Sequence, residues 1–167
     1  MIMKGVYTMK SLVIYYSLEG NTRFVAETIA NEMGADLLVL KPKEDIPSKG
    51  FMRYLKGGKQ VVLKKKPELL PLDKDPAAYD VIYIGSPVWA GSFAASVNAF
   101  FSAISLKNKR IALFCCHRGG LGSIFKNFSK NLEGNEIIGE LECKEPVKTE
   151  ENIKRIKAWI DTLNTRG

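Results

Sequence analysis

Four short apolar runs, SLVIYY (11–16), ADLLVL (35–40), VIYIG (81–85) and IALFCC (111–116), are nearly continuous rather than alternating. A strand with one wet face alternates apolar and polar residues. A run that is apolar at successive positions is buried on both faces, the situation of a parallel sheet covered by helices. A fifth run, EIIGEL (136–141), follows. Between the runs the period changes. Val25, Ile29 and Met33 stand at i, i+4 and i+8, and Gly34 comes next as a stop signal. Val97, Phe100, Phe101 and Ile104 mark a second helical face, Ile124, Phe125, Phe128 and Leu132 a third, and Ile153, Ile156, Ile160 and Leu163 a fourth. Strand–helix alternation of this kind predicts a doubly wound α/β fold with right-handed crossovers.

The 167 residues have the length of one domain, taken as 1–167, and an apolar fraction of 46% supplies its core. No apolar run approaches the roughly 20 residues that span a bilayer. The opening MIMKGVYTMK has no continuous apolar segment of the secretory kind, and Met9 is an alternative start, so residues 1–8 carry no structural weight. Three cysteines without a CxxC, and a single histidine, argue against a disulfide scaffold or a zinc site and fit a cytoplasmic protein.

The net charge of +7 is concentrated in one place. Between Lys49 and Lys66 lie Lys49, Arg53, Lys56, Lys59, Lys64, Lys65 and Lys66 with no Asp or Glu, so the rest of the chain is balanced. Such a stretch reads either as a solvated loop or as a contact for an acidic partner. Beyond Phe51 and Tyr54 it lacks the interleaved aromatics that stack bases, which argues against nucleic acid. It belongs to an unusual crossover, 41–80, that carries five prolines and the Gly57-Gly58 pair. A short helix fits GFMRYL (50–55). The remainder reads as irregular and lid-like.

In open α/β sheets ligands bind beyond the carboxyl ends of the strands. Three of those ends are distinctive. Ser17-Leu18-Glu19-Gly20-Asn21-Thr22 joins the first strand to a helix whose free N–H groups suit an anion, with hydroxyl donors and no P-loop lysine. That combination suits a phosphate monoester held by N–H and hydroxyl groups rather than by a cation. A plain helix cap by Ser17 or Asn21 is the competing reading. Gly85–Gly91, GSPVWAG, is expected to turn at Ser-Pro. It leaves Trp89 on a loop beside Ala90 and Gly91, either against a flat ring or as ordinary packing. Cys115–Ser123, CCHRGGLGS, offers backbone groups to a ligand edge. It is not a thiolate phosphatase loop, because Leu121 and Gly122 stand where that loop needs arginine. Cys115 and Cys116 read as small apolar fillers and His117 as solvated. A phosphoacceptor receiver needs acids where this chain has Tyr16-Ser17 and Gly85-Ser86.

Taken together, the three loops resemble those of the flavodoxin family over about Ser11–Leu163. The resemblance implies a three-layer sandwich with a five-stranded parallel sheet of order 2-1-3-4-5 and FMN at the switch point. It implies that Ser17, Leu18, Glu19, Gly20, Asn21 and Thr22 wrap the FMN phosphate. Pro87, Val88, Trp89, Ala90 and Gly91 then flank the isoalloxazine, and Cys116, Arg118, Gly119 and Gly120 meet its polar edge. It assigns no catalytic residue and no metal. The uninterrupted fifth strand is similar to that of the short-chain members. Two departures stand out. Glu19 occupies a position often held by Thr, so its side chain is expected to turn outward. The third loop lacks an aromatic for the ring's second face, so either His117 takes that place or the face is open.

The implied function is one- or two-electron transfer on non-covalent FMN, with Arg118 and the basic stretch raising the potential and a redox protein with an acidic docking face as partner. The alternatives are an NAD(P)H-dependent quinone or small-molecule reductase, and a non-redox binding module that uses residues 49–66.

Overall fold

The computed structural model describes residues 8–47 and 49–164. Residues 1–7 of the opening segment lie outside them, while the alternative start Met9 lies within. The strands are β1 (Ser11–Tyr15), β2 (Asp36–Val39), β3 (Val81–Trp89), β4 (Ser92–Phe93), β5 (Arg110–His117) and β6 (Glu136–Lys144). The helices are α1 (Asn21–Met33), α2 (Met52–Val62), α3 (Ala95–Ala103), α4 (Ile124–Asn131) and α5 (Glu150–Asn164). The sheet order is β2-β1-β3-β5-β6, all pairs parallel, with β4 antiparallel to the end of β3. This is the flavodoxin-like order 2-1-3-4-5 with one short hairpin strand added.

The continuous runs are explained by two cores. Leu12, Ile14, Ile82, Ile84, Ile111 and Leu113 pack on one face with Val97 and Phe100 of α3 and Ile124 and Phe128 of α4. Val13, Tyr15, Tyr83, Ala112 and Phe114 pack on the other with Val25 and Ile29 of α1 and Ile156 and Ile160 of α5. Each strand therefore feeds apolar side chains alternately to both layers. Gly85 permits a close approach at the centre, where an added Cβ would stand 2.0 Å from Phe114 Cζ.

Two expectations are corrected. The chain does not turn at Ser86-Pro87. β3 continues to Trp89, with Pro87 in register with Cys116. The partner β1 ends at the Tyr15–Gly85 pair, so the missing N–H of Pro87 falls where β3 has become an edge. The turn comes instead at Ala90 (φ 47°) and Gly91 (φ 72°), a two-residue hairpin loop with both residues at positive φ, as a type I′ turn requires.

The crossover 41–80 is also less irregular than the sequence suggests. α2 runs straight through Gly57-Gly58. Its outgoing end is tied down by Asn98, whose Nδ2 donates to the carbonyls of Lys64 and Lys65 at 3.2 and 3.1 Å. Pro42 and Leu69 form an antiparallel bridge, and the Tyr16 hydroxyl donates to Asp45 at 2.7 Å. Among the described residues no helix is long and apolar enough to cross a membrane.

Candidate functional site

The carboxyl ends of β1, β3 and β5 open into one cleft of about 530 Å³. From the first loop it is lined by Ser17, Leu18, Glu19, Asn21 and Thr22, from the second by Pro87, Val88, Trp89 and Ala90, and from the third by Cys116, Arg118 and Gly119. Gly20, Gly91 and Gly120 do not line it; Gly20 and Gly91 shape the turns beside it, each at positive φ. Three further lining residues, Arg53, Tyr54 and Gly58, were not anticipated, and His117, weighed above as a cover for the ring, lines the cleft as well.

The first loop delivers a helix end. Gly20, at φ 101°, donates its N–H to Ser17 Oγ at 3.1 Å, and its carbonyl accepts from Phe24 at 2.9 Å. That bond opens α1, so the N–H groups of Asn21, Thr22 and Arg23 precede the helical ladder and carry the positive end of the helix dipole. The cap reading holds in part: Ser17 Oγ takes the Gly20 N–H, while Gly20 itself has no side chain to offer the N–H groups of Asn21, Thr22 and Arg23. Thr22 is buried, with its side chain beside the Cys116 thiol.

The second and third loops interlock. The Ser123 N–H donates to the Gly91 carbonyl at 2.8 Å, and a Cβ on Gly122 would stand 2.3 Å from Gly91 Cα. Glycine at 122, at φ 57°, is what lets the two backbones touch. Trp89 meets the edge of Tyr16, the ring centroids 5.5 Å apart and the planes at 83°.

Two sequence expectations change. The first loop has a cation after all: Arg53, delivered by α2, forms an ion pair with Glu19. Glu19 therefore turns to Arg53 rather than outward. The contact joins residues far apart in sequence, which no local pattern announces. Secondly, His117 is not solvated. Its side chain is 5% exposed, Nε2 lies 2.6 Å from Glu142 Oε1 on β6, and Nδ1 is buried with no hydrogen-bond partner. It is thus held on Glu142 through Nε2 while it lines the cleft. Cys116 lines the cleft as expected, and its thiol is paired with Cys143, its register partner on β6. That bond and burial push the Cys116 thiol well up, and the same bond holds Cys143 down. Burial pushes Cys115 up to about 12. All three cysteines are buried and unbridged, as expected of apolar fillers. Among the described residues no group of His, Cys, Asp and Glu is arranged to hold a metal.

The donor set fits a phosphate ester joined to a flat ring. Uncapped N–H groups and hydroxyls lie at one end, and Pro87, Val88 and Trp89 form an apolar wall along the side. The buried Nδ1 of His117 supplies an unmet hydrogen-bonding group in the wall.

Comparison with known proteins gives a consistent family. A family model described as Flavodoxin matches residues 10–163. An uncharacterized protein of Methanocaldococcus jannaschii is 28% identical over 143 residues, covering 81% of this chain and 75% of the relative. The flavodoxin-like domain-containing protein BilS of Clostridioides difficile is 29% identical over 142 residues, 81% of this chain but 66% of the relative. Among solved structures, the flavoprotein of Lactobacillus acidophilus NCFM in complex with FMN superposes with a TM-score of 0.71 at 25% identity, covering 92% of this chain and 99% of that one.

Proposed function

Because this chain belongs to the flavodoxin family, we propose that it binds FMN non-covalently in the cleft and serves as a cytoplasmic electron-transfer protein. When bound, FMN supplies the redox chemistry, taking up one or two electrons on its isoalloxazine ring. The observation that carries the reading is the convergence of the three loops on one cleft whose two ends differ in chemistry. The Lactobacillus flavoprotein, which holds FMN, lends support through its similarity over nearly the whole chain.

The residues divide the work by chemistry. The N–H groups at the start of α1, with the Ser17 and Thr22 hydroxyls, bind the phosphate. Arg53 adds a positive charge at that end and is restrained by Glu19. Pro87, Val88 and Trp89 exclude water along the ring. The Ala90 and Gly91 turn, locked to Gly122, would hold the ring from the second loop, and Arg118 and Gly119 of the third loop would meet its polar edge.

The test is the visible absorption spectrum of the purified protein, repeated after mixing with FMN and gel filtration. Retained oxidised-flavin bands are expected. A colourless protein after that treatment overturns the reading. Sustained NAD(P)H oxidation with a quinone by the loaded protein would instead identify a reductase.

A further inference from the structure

Helix α2 has two unlike faces. Its inner face carries Arg53 and Gly57, one paired with Glu19 and the other against Trp89. On its outer face Phe51, Leu55 and Val62 follow at i, i+4 and i+11 and are 72%, 51% and 71% exposed. That spacing is the one by which a helix normally buries a face. Here it meets solvent, and contiguous exposed apolar surface of this kind marks an interaction site.

Two details specify the occupant. The stripe belongs to a segment that carries exposed Lys56 and Lys59 on the helix and exposed Lys64, Lys65 and Lys66 beyond it, with no carboxylate anywhere from 49 to 66. The opposing surface must therefore be acidic. The stripe is also notched. Gly58 falls at i+7 from Phe51, between Leu55 and Val62; a Cβ there would meet nothing within 4 Å, and the residue lines the cleft. A protein side chain can fill such a notch, whereas a bilayer has no fixed knob to offer it.

We propose that the Phe51–Leu55–Val62 stripe is the docking face for an acidic redox protein, whose apolar knob, ringed by carboxylates, seats at Gly58 beside the cleft mouth. The electron-exchange part rests on the FMN reading above; the docking part does not. Apolar centre and charged rim is the usual anatomy of a transient protein interface. Seating at Gly58 brings the partner's one-electron centre next to the cleft.

The probe is cytochrome b5, a small acidic haem protein, with basic cytochrome c as control. Binding to the full FMN-loaded chain is read by biolayer interferometry at several salt concentrations. Electron transfer is read by stopped flow. Flavin reduced beforehand by dithionite gives one electron to ferric haem, which becomes ferrous. Cytochrome b5 is expected to bind, with an on-rate at least about tenfold higher at low salt than at high salt. Leu55→Glu and the double variant Lys56→Glu/Lys59→Glu are expected to lower affinity and second-order rate by about tenfold or more. All of these positions are exposed and outside the cleft lining, so flavin spectrum and circular dichroism should be unchanged. Equal or better binding of cytochrome c, or unaltered binding by the variants, overturns the proposal. So does capture by phosphatidylserine vesicles in place of cytochrome b5, lost in the same variants, which assigns the stripe to an anionic membrane. The binding arm needs no electron. A chain that holds no flavin yet binds cytochrome b5 through the stripe removes the cofactor reading and upholds the docking face. Flavin retained without such binding removes the docking face alone.

Discussion

The indole of Trp89 lies on Gly57: a Cβ built at position 57 stands 3.0 Å from Trp89 Cε3 and 3.2 Å from Cδ2. The backbone of α2 thus approaches the β3–β4 hairpin as closely as a residue without a side chain allows. This contact explains the glycine at 57, which the helix carries at a cost of about 1 kcal/mol relative to alanine; it does not explain Gly58.

The two glycines are predicted to respond differently to alanine. At Gly58 nothing lies within 4 Å of the new methyl group, so Gly58→Ala should stabilise the protein by about 0.5–1 kcal/mol through helix propensity. At Gly57 the same gain is opposed by overpacking against a ring already held by Tyr16, a penalty of about 1–3 kcal/mol. Gly57→Ala should therefore be neutral to destabilising and should shift Trp89 fluorescence. Urea unfolding of both variants checks the contrast, and equal effects would refute the role given to Trp89.

Gly122→Ala should damage the cleft more than the fold. The added Cβ would stand 2.3 Å from Gly91 Cα and 2.6 Å from its carbonyl oxygen, atoms of backbone that cannot rotate away. The residue also needs a φ of 57°, which an L side chain adopts at a cost of roughly 1–2 kcal/mol. The loops should separate and the Ser123 to Gly91 hydrogen bond should break. We expect FMN affinity to fall by about tenfold or more, since one lost loop contact of 1.4 kcal/mol already gives that factor. Flavin-fluorescence titration measures it. By contrast Gly85→Ala, with Phe114 2.0 Å from the new methyl group, should destabilise the fold itself by about 3 kcal/mol.

These cases show which parts of the molecule were legible in the sequence. The sheet was, because burial on both faces leaves continuous apolar runs that survive any detail of packing. The ends of β1, β3 and β5 were legible because loops that approach a ligand need glycine, serine and threonine locally. The contribution of α2 was hidden. Gly57-Gly58 reads as a breaker until Trp89 is known to occupy the space, and Arg53 reaches Glu19 only through the folded crossover. His117 was misread for the same reason. Its partner Glu142 lies 25 positions away on β6, and nothing near His117 in sequence indicates burial.

The cysteines should be silent in the folded protein. All three are buried, and burial raises Cys115 to about 12, so little thiolate is exposed at neutral pH. Cys143 is the exception in direction, held down by its bond with Cys116, and it sits on β6, which pairs only with β5. Iodoacetamide at pH 8 should modify none of them natively and all three in denaturant. At intermediate denaturant Cys143 should be labelled before Cys115, as read by mass spectrometry. Rapid native labelling of Cys115 would contradict its burial.

Tyr79 gives stability a dependence on alkaline pH. Its hydroxyl donates to Asp36 Oδ2 at 2.6 Å, and this bond first, with burial second, pushes its pKa up to about 12. A raised pKa means that the contribution is complete below about pH 10, the unfolded value, and is lost as pH climbs through about 12. Tyr16, Tyr15 and Tyr83 are raised as well, chiefly by burial, and add to the same slope. Tyr79→Phe should lower stability at neutral pH by about 1 kcal/mol and flatten, without abolishing, the decline above pH 10. Urea midpoints measured across that window decide it, and an unchanged slope would remove the Tyr79–Asp36 bond as its source.

Arg118 should set part of the potential of the bound cofactor. It is exposed, on the third loop, and lines the cleft, where added electrons place negative charge on the ring. A cation several ångströms away at a protein surface favours that charge by about 1 kcal/mol, equivalent to about 40 mV for one electron. Arg118→Ala should therefore lower the potential by tens of millivolts, roughly 20–60 mV once solvent screening is allowed for, while changing FMN affinity little. The argument requires a charge effect and not a steric one, so Arg118→Lys should retain most of the original potential. Spectroelectrochemical titration of the three proteins at low and high salt separates the cases. A potential that is unmoved in Arg118→Ala at low salt would assign the tuning to other groups. A shift that persists undiminished at high salt would point to a change in the loop rather than to the lost charge, because an exposed charge is screened within about 10 Å at moderate ionic strength.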